Sequence, residues 1–203
     1  MKVVLASSSP RRAHLLQQIG LKFTIDPSSF DESRVNGTNP AKLVQDIARC
    51  KGNDVAPRHP ESLIISADTI VTLNNTILGK PVNTKEAVFM LSELSGKTHE
   101  VFSGVCIALT DQNTDIENSI SFYERTKVTF SALTDREIDL YVQTGRPFDK
   151  AGAYGIQDDL GSLFVEKIEG DYYNVVGFPL HAFYQKLKAL IPSVHNRLFF
   201  EHS

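Results

Sequence analysis

Cysteine, long apolar runs and net charge are all scarce in this 203-residue chain. The two cysteines, Cys50 and Cys106, are too few for a disulfide scaffold or a structural zinc site, so we expect a reduced cytosolic setting. No apolar run approaches the ~20 residues that span a bilayer, and the N-terminus lacks a signal-peptide stretch, which predicts a soluble cytoplasmic protein. A net charge of −3 gives no global reason to bind nucleic acid or an acidic membrane.

Several common catalytic signatures are missing as well. The chain contains neither a GxxxxGK[ST] phosphate-binding loop nor a GxGxxG dinucleotide fingerprint. Its six histidines are scattered without an HExxH motif, so zinc hydrolysis has little support. GxSxG is absent, and a Ser-His-Asp triad would therefore lack its local signature.

The first motif that is present opens the chain. An apolar strand pattern at residues 3–5 is followed by three serines, a proline and two arginines. Pro10 suits the first turn of a helix, whose free N–H groups would face the same point as the nearby hydroxyls and guanidiniums. This arrangement predicts a phosphate or polyphosphate site made of Ser7, Ser8, Ser9, Arg11 and Arg12. The alternative is a helix cap with two solvated arginines.

Strand and helix patterns alternate along the rest of the chain without repeats. This order predicts a mixed α/β or α+β fold in one domain, residues 1–191, followed by a tail at 192–203. The predicted elements are helices at 13–19, 40–55, 85–94, 135–144 and 179–190, strands at 22–25, 63–67, 100–109 and 119–130, hairpins at 70–78 and 162–176, and a long loop at 26–39.

Asp68 directly follows the apolar segment Leu63-Ile-Ile-Ser-Ala67. We expect its carboxylate at the end of a core strand, where ligands gather in open α/β sheets, although capping of the next turn is an alternative. Asp31 and Glu32 in the long loop are candidates for a second acidic ligand. Carboxylates from different elements suit Mg²⁺ or Mn²⁺, which bind substrate phosphates as well.

Two lysines and a glutamine extend the anion-binding interpretation. Lys80 lies in the turn Leu78-Gly-Lys-Pro81, and Lys51 lies near the end of the helix predicted at 40–55. The alternative for each lysine is a solvated or helix-terminal charge. Gln157 ends a glycine-containing segment that permits close backbone approach, and its amide has the donors and acceptors that read a base edge.

Six segments, in order, resemble the Maf family of nucleoside triphosphate pyrophosphatases, from Val3 to about Leu190. The resemblance implies an elongated, bilobed, mixed α/β fold related to the inosine triphosphatase group, with a deep cleft and frequent homodimerisation. It also implies metal-dependent hydrolysis of a nucleoside triphosphate to the monophosphate and pyrophosphate. The six segments are Leu5-Ala-Ser-Ser-Ser-Pro-Arg-Arg12, Ser66-Ala-Asp-Thr-Ile70, Gly79-Lys-Pro81, Leu94-Ser-Gly-Lys-Thr98, Asp149-Lys-Ala-Gly-Ala-Tyr-Gly-Ile-Gln157 and Gly170-Asp-Tyr-Tyr-Asn-Val-Val-Gly-Phe-Pro-Leu180.

The same resemblance implies roles for individual residues. The family's catalytic carboxylate, a proton acceptor, falls on Asp68, and its other acidic residue falls on Glu32. These two carboxylates are the expected ligands of the divalent cation. The implied phosphate-binding set is Arg12, Lys51 and Lys80, with Ser7 or Ser9.

Substrate choice within the family is implied by three further positions. Arg11, Thr69 and Gln157 match the dTTP/UTP branch, whereas the 7-methyl-GTP branch has an aromatic residue, Gln and Glu there. The alternatives are a purine-selective pyrophosphatase of the 7-methyl-GTP or inosine triphosphatase type, and a nucleotide-binding regulator of cell division with weak hydrolysis. One departure from the family pattern is the segment 158–161, Asp-Asp-Leu-Gly, which is longer and more acidic than the usual glycine-led turn.

Overall fold

The computed structural model describes residues 1–158, 160–192 and 199. Within those residues, six α-helices and a seven-stranded mixed sheet confirm the expected α/β class. Most of the predicted tail, 193–198 and 200–203, lies outside the described residues, as does Asp159. The elements are β1 (Lys2–Leu5), α1 (Pro10–Gln18), β2 (Thr24–Ile25), α2 (Pro40–Val55), β3 (Ser62–Leu73), β4 (Thr76–Leu78), α3 (Thr84–Leu94), β5 (Thr98–Thr110), β6 (Ile116–Phe130), α4 (Asp135–Gln143), β7 (Val165–Glu169), α5 (Tyr172–Val176) and α6 (Leu180–Leu190).

Helix α2 occupies the predicted range because its start is marked by local chemistry. The side chain of Asn39 accepts a hydrogen bond of 3.0 Å from the Lys42 N–H, and Pro40 stands in the first turn. The apolar stripe of the helix, which includes Leu43, Val44 and Ile47, is buried. These signals set the position of Lys51 along the helix.

The sheet has the strand order β2-β1-β3-β5-β6-β7, and β4 pairs with β3 off this path. β1 runs parallel to both β2 and β3, with Val3 opposite Leu63. β4 is antiparallel to β3, and β7 is antiparallel to β6. The hairpin predicted at Asn74-Asn75 is confirmed, and the two asparagines have φ of 51° and 65°, the left-handed conformation of a tight type I′ turn.

β3 is longer than predicted, and this changes the place of Asp68. The strand continues to Leu73 instead of ending at Ala67, so Asp68 lies inside the strand and not at its end. Residues 69–72 are all β-branched, which favours continuation of a strand, and no turn residue interrupts them. The expectation of a strand-terminal carboxylate was therefore wrong.

The second predicted hairpin, at residues 162–176, was also wrong. The segment contains the end of a 3₁₀ turn at Gly161–Phe164, the strand β7 and the short helix α5. Gly170, with φ of 132°, separates β7 from the helix. The partner of β7 is β6 and not a strand of its own hairpin.

The chain divides into two compact units, and the first contains Met1–Asp68, Ser103–Glu124 and Gly177–Ser203. In this unit β1 and β3 are buried together with α2. Gly104 lies against the α2 backbone, where a Cβ would come within 2.3 Å of the Val44 carbonyl group. Only glycine therefore allows this close approach of strand and helix.

The second unit contains Thr69–Phe102 and Arg125–Val176, and its core includes a buried group of rings. His99 packs edge-on against Phe130 and Tyr154, with ring centroids 4.9 Å and 5.3 Å away. Its Nε2 lies 2.8 Å from the Tyr154 hydroxyl. Because the ring is removed from water, burial lowers the pKa of His99 from 6.5 to about 4.

We expect this histidine to make the stability of the fold decrease in acid. His99 has a pKa of 6.5 in the unfolded chain and about 4 in the folded chain. At pH values between these two, the unfolded chain binds a proton on His99 and the folded chain does not. The contribution of His99 to the free energy of unfolding is fully present above this pH range. As the pH falls through the range, the free energy of unfolding decreases by about 3 kcal/mol. Melting curves of the wild type and His99→Gln between about pH 7 and pH 5 test this, since glutamine does not titrate. Parallel declines would contradict it.

Candidate active site

The loop between β1 and α1 brings a serine and an arginine together. Ser7 is buried, and its Oγ accepts a hydrogen bond of 3.1 Å from Arg12 Nη1. Arg12 Nε donates to the Gly177 carbonyl over 3.0 Å, which fixes the plane of the guanidinium. Ser9 precedes the helix, and its N–H points back to Ser7 Oγ over 3.3 Å. One loop hydroxyl, that of Ser7, therefore contacts Arg12, and Arg11 is half-buried.

The charge of Arg12 acts on the acidic residues of the first unit. Burial lowers the pKa of Arg12, whereas the carboxylates of Asp68 and Glu32 raise it and Arg11 lowers it. A guanidinium stays protonated under such shifts. Arg12 therefore supplies a permanent positive charge within electrostatic range of both predicted metal ligands.

Lys51 joins the two acidic residues directly. Its Nζ lies 2.8 Å from Asp68 Oδ1 and 2.6 Å from Glu32 Oε1. The side chain of Asp68 is 8% exposed and that of Glu32 is 52% exposed, so one carboxylate is enclosed and the other reaches solvent. Three of the predicted residues, from a helix, a strand and a loop, thus form one cluster. We call Glu32, Lys51 and Asp68 the acid–lysine cluster.

The packing of α2 on β3 explains why Lys51 meets Asp68. Ser66 and Asp68 are two residues apart and face the same side of the strand. Ser66 Oγ donates a hydrogen bond of 2.6 Å to the Ala48 carbonyl, and Ala48 precedes Lys51 by about one helical turn. A Cβ at Gly52 would lie 2.9 Å from Ser66 Oγ, so glycine permits this separation. The contacts of Ser66 with Ala48 and of Asp68 with Lys51 therefore set the register of the helix on the strand.

Glu32 reaches Lys51 because its loop is tied to the end of α2. Asp54 Oδ2 accepts hydrogen bonds from Ser28 Oγ at 2.8 Å and from the Ser29 N–H at 2.9 Å. These bonds keep the pKa of Asp54 below its usual value. No local pattern predicted this role for Asp54, since an aspartate near a helix end is an ordinary surface residue.

The 3₁₀ turn at Glu32–Arg34 gives Asp31 and Glu32 different contacts. Asp31 caps this turn, with its Oδ1 accepting from the Ser33 N–H at 3.0 Å and from the Ser33 hydroxyl at 2.7 Å. Its carboxylate is therefore used locally. Glu32 is the acidic loop residue that contacts Lys51.

The remaining predicted residues belong to the second unit. Thr69 follows Asp68 on β3 and is half-buried, and Lys80 is exposed after β4. Gln157 is exposed in the turn that follows Tyr154. Their roles toward a ligand stay predictions.

The donors of the acid–lysine cluster fit a hard divalent cation. Mg²⁺ is usually held by one or two carboxylates and completes its shell with waters and substrate phosphates. Glu32 and Asp68 supply this pair of carboxylates from different elements. Among the residues that the structure describes, no group of three or more His, Cys, Asp or Glu side chains has metal-binding geometry. With two carboxylates, a cation at this site would complete its shell with water molecules and, when substrate is bound, with phosphate oxygens.

Two further features of the described residues bear on function. Cys50 and Cys106 are both free thiols, and burial raises the pKa of Cys106. None of the helices in the described part of the chain has the length and apolarity needed to cross a membrane. Neither cysteine contributes a group to the acid–lysine cluster.

This α/β fold brings together carboxylates, a lysine and an arginine-bearing loop, which are the kinds of side chain found in the class of proteins that handle phosphates. Residues 2–190 match the family model described as Maf-like protein. The chain therefore belongs to the Maf family, as its motifs predicted.

Relatives cover nearly the whole chain. A protein of Bacillus cereus (strain AH820) named dTTP/UTP pyrophosphatase is 47% identical over 187 residues, which are 92% of this chain and 94% of the relative. A protein of the same name from Halalkalibacterium halodurans is 49% identical over 186 residues, with the same coverage of both chains. A solved HAM1 protein from Coxiella burnetii covers 64% of this chain and 73% of its own, with a TM-score of 0.43 and 13% identity.

Proposed function

We propose that this protein hydrolyses dTTP and UTP to the nucleoside monophosphate and pyrophosphate. The observation that carries the proposal is the acid–lysine cluster, in a Maf-family chain whose relatives at 47–49% identity are named dTTP/UTP pyrophosphatases. Both carboxylates and both cations of the first unit that this reaction needs are close enough to interact.

In the proposed mechanism, Asp68 acts as the general base. Its carboxylate accepts a proton from a water molecule as the water oxygen attacks the α-phosphorus and the bond from that phosphorus to the bridging oxygen breaks. The bridging oxygen leaves with the pyrophosphate. Because Asp68 is enclosed and held by Lys51, its carboxylate has a fixed orientation, which favours proton transfer from a correctly placed water.

The departing pyrophosphate gains negative charge, which the nearby cations stabilise. Arg12 offers a fixed planar fork of donors, and Lys51 offers an ammonium. Glu32 and Asp68 would hold Mg²⁺ or Mn²⁺, which supplies further charge stabilisation when bound. Ser7 keeps Arg12 in place, and Ser9 lies in the same loop as a further phosphate-binding candidate.

Base and phosphate recognition involves further residues in this proposal. Arg11, Thr69 and Gln157 select the pyrimidine base, and Lys80 contributes a phosphate contact. A donor or acceptor that loses its partner against the wrong base penalises that base strongly. We also propose that the enzyme works as a cytoplasmic homodimer, which light scattering on the purified protein tests.

We expect kcat/KM for dTTP and UTP to exceed that for ATP, GTP and 7-methyl-GTP by at least about tenfold. Phosphate detection with and without added inorganic pyrophosphatase measures the rate and distinguishes pyrophosphate release from orthophosphate release. In ¹⁸O-labelled water, attack at the α-phosphorus places the label in the monophosphate. A preference for 7-methyl-GTP or ITP would favour the purine-selective alternative, and nucleotide binding without turnover would favour the regulator.

A further inference from the structure

The turn that carries Gln157 is held by one buried hydroxyl. The Asp158 N–H donates to the Gly155 carbonyl over 3.0 Å, which closes a four-residue turn around Ile156 and Gln157. Tyr141, from the last two turns of α4, contacts both ends of this turn. Its hydroxyl accepts from the Gly155 N–H at 3.1 Å and donates to Asp158 Oδ2 at 2.6 Å.

A buried ammonium completes this arrangement. Lys150 Nζ lies 3.2 Å from Asp158 Oδ2 and 2.6 Å from Asp149 Oδ1, and it donates to the Arg146 carbonyl at 2.6 Å. The side chains of Lys150 and Asp158 are 8% and 15% exposed, so their attraction is weakly screened. Asp158 is therefore held from two sides, by a hydroxyl and by an ammonium.

The packing leaves little room for the turn to move. A Cβ at Gly155 would lie 2.5 Å from Lys150 Cε and 2.7 Å from Asp158 Oδ2. A Cβ at Gly161 would lie 2.5 Å from the Gly155 carbonyl oxygen and 3.0 Å from the Tyr141 hydroxyl. Glycine at both positions lets the backbone close around the hydroxyl.

The surroundings of Tyr141 hold its ring in place and keep its hydroxyl protonated. The tyrosine is fully buried, and its ring packs edge-on against Phe164 with centroids 5.2 Å apart. Burial first, and then the Asp158 carboxylate, raise the pKa of Tyr141, so the hydroxyl remains a donor. Gln157 itself is exposed between the two anchored residues.

We propose that Tyr141 and Asp158 are positioning residues for substrate selection, because they fix the turn that presents the Gln157 amide to the base. This rests on the proposed function and on the predicted role of Gln157. The Asp158 carboxylate anchors the end of the turn that directly follows Gln157, through its contacts with Tyr141 and Lys150. Base selection therefore depends on the position of the turn as well as on the Gln157 amide that the turn carries.

Tyr141→Phe and Asp158→Ala test the proposal through selectivity rather than through rate. Each is expected to lower the ratio of kcat/KM for dTTP over that for ATP by about tenfold, mainly through a higher KM for dTTP. Asp158→Asn should lose less, since its amide oxygen still accepts from Tyr141. Tyr172→Phe and Asp139→Asn, both exposed in the same unit, are the matched controls and should keep the wild-type ratio.

A Gln157→Ala background separates positioning from a general loss of structure. If Tyr141 acts through Gln157, adding Tyr141→Phe to Gln157→Ala should cause no further loss of the ratio. Melting curves confirm that each variant is folded. An unchanged ratio in both single variants, or an equal further loss in the Gln157→Ala background, would overturn the positioning role while leaving the proposed function intact. A wild-type enzyme without pyrimidine preference would overturn both.

Discussion

Asp68→Asn should lower kcat for dTTP by about 10²–10⁴-fold and leave nucleotide binding measurable. The amide has the shape of the carboxylate, and its oxygen still accepts a hydrogen bond from Lys51, so the packing inside β3 is retained. What the amide lacks is the ability to take a proton from water and the negative charge that would hold a divalent cation. Pyrophosphate release measures kcat, and calorimetry with the non-hydrolysable α,β-methylene analogue of dTTP measures binding.

The matched control for this variant is Asp46→Asn. Asp46 is also paired with basic side chains, Lys42 and Arg49, but it lies on the outer part of α2 away from the acid–lysine cluster. Its replacement should leave kcat within about twofold of the wild type, because exposed pairs contribute little. Near-normal turnover in Asp68→Asn would remove Asp68 from the catalytic role.

The helices of this fold were more predictable than the strands near the site. Helix α2 has its start marked by Asn39 and Pro40 and its buried face by an apolar stripe, so its range followed from local signals. The end of β3 had no such signal. The β-branched residues 69–72 continue the strand, and the predicted stop at Asp68 relied on charge alone.

The acid–lysine cluster could be predicted only by resemblance. Lys51 and Asp68 are 17 residues apart, and their contact depends on the register of α2 on β3. That register is set by the Ser66–Ala48 hydrogen bond and by the space at Gly52, which are tertiary contacts without a sequence signature. Spacing along a chain gives no distance between elements that pack through such contacts.

The anchors of the loops were missed for a related reason. Asp54 ties the loop of Glu32, and Tyr141 ties the turn of Gln157, but each is an ordinary residue of its helix. No role was predicted for Tyr141, since a tyrosine on the buried face of a helix usually fills a core. Its hydroxyl contacts Gly155 and Asp158, which come from a later part of the chain.

Lys51→Met should lower kcat/KM for dTTP by about 10²-fold, because one substitution removes a cation from the phosphates and leaves two carboxylates without their shared partner. Methionine keeps most of the length and apolar stem of lysine, so the packing of α2 is retained. Lys42→Met on the same helix is the matched control. Lys42 is exposed and paired only at the surface with Asp46, and its loss should change kcat/KM by less than about twofold.

The same substitution should change the response of the protein to Mg²⁺ in the absence of nucleotide. In the wild type, the Lys51 ammonium occupies the space between Asp68 and Glu32, so a cation must compete with it. Without that ammonium, the two carboxylates repel each other, and a bound cation relieves the repulsion. Mg²⁺ should therefore raise the melting temperature of Lys51→Met more than that of the wild type or Lys42→Met. If Mg²⁺ shifted all three equally and Lys51→Met kept its kcat/KM, Lys51 would be a structural ion-pair partner, and the acid–lysine cluster would not be the catalytic centre.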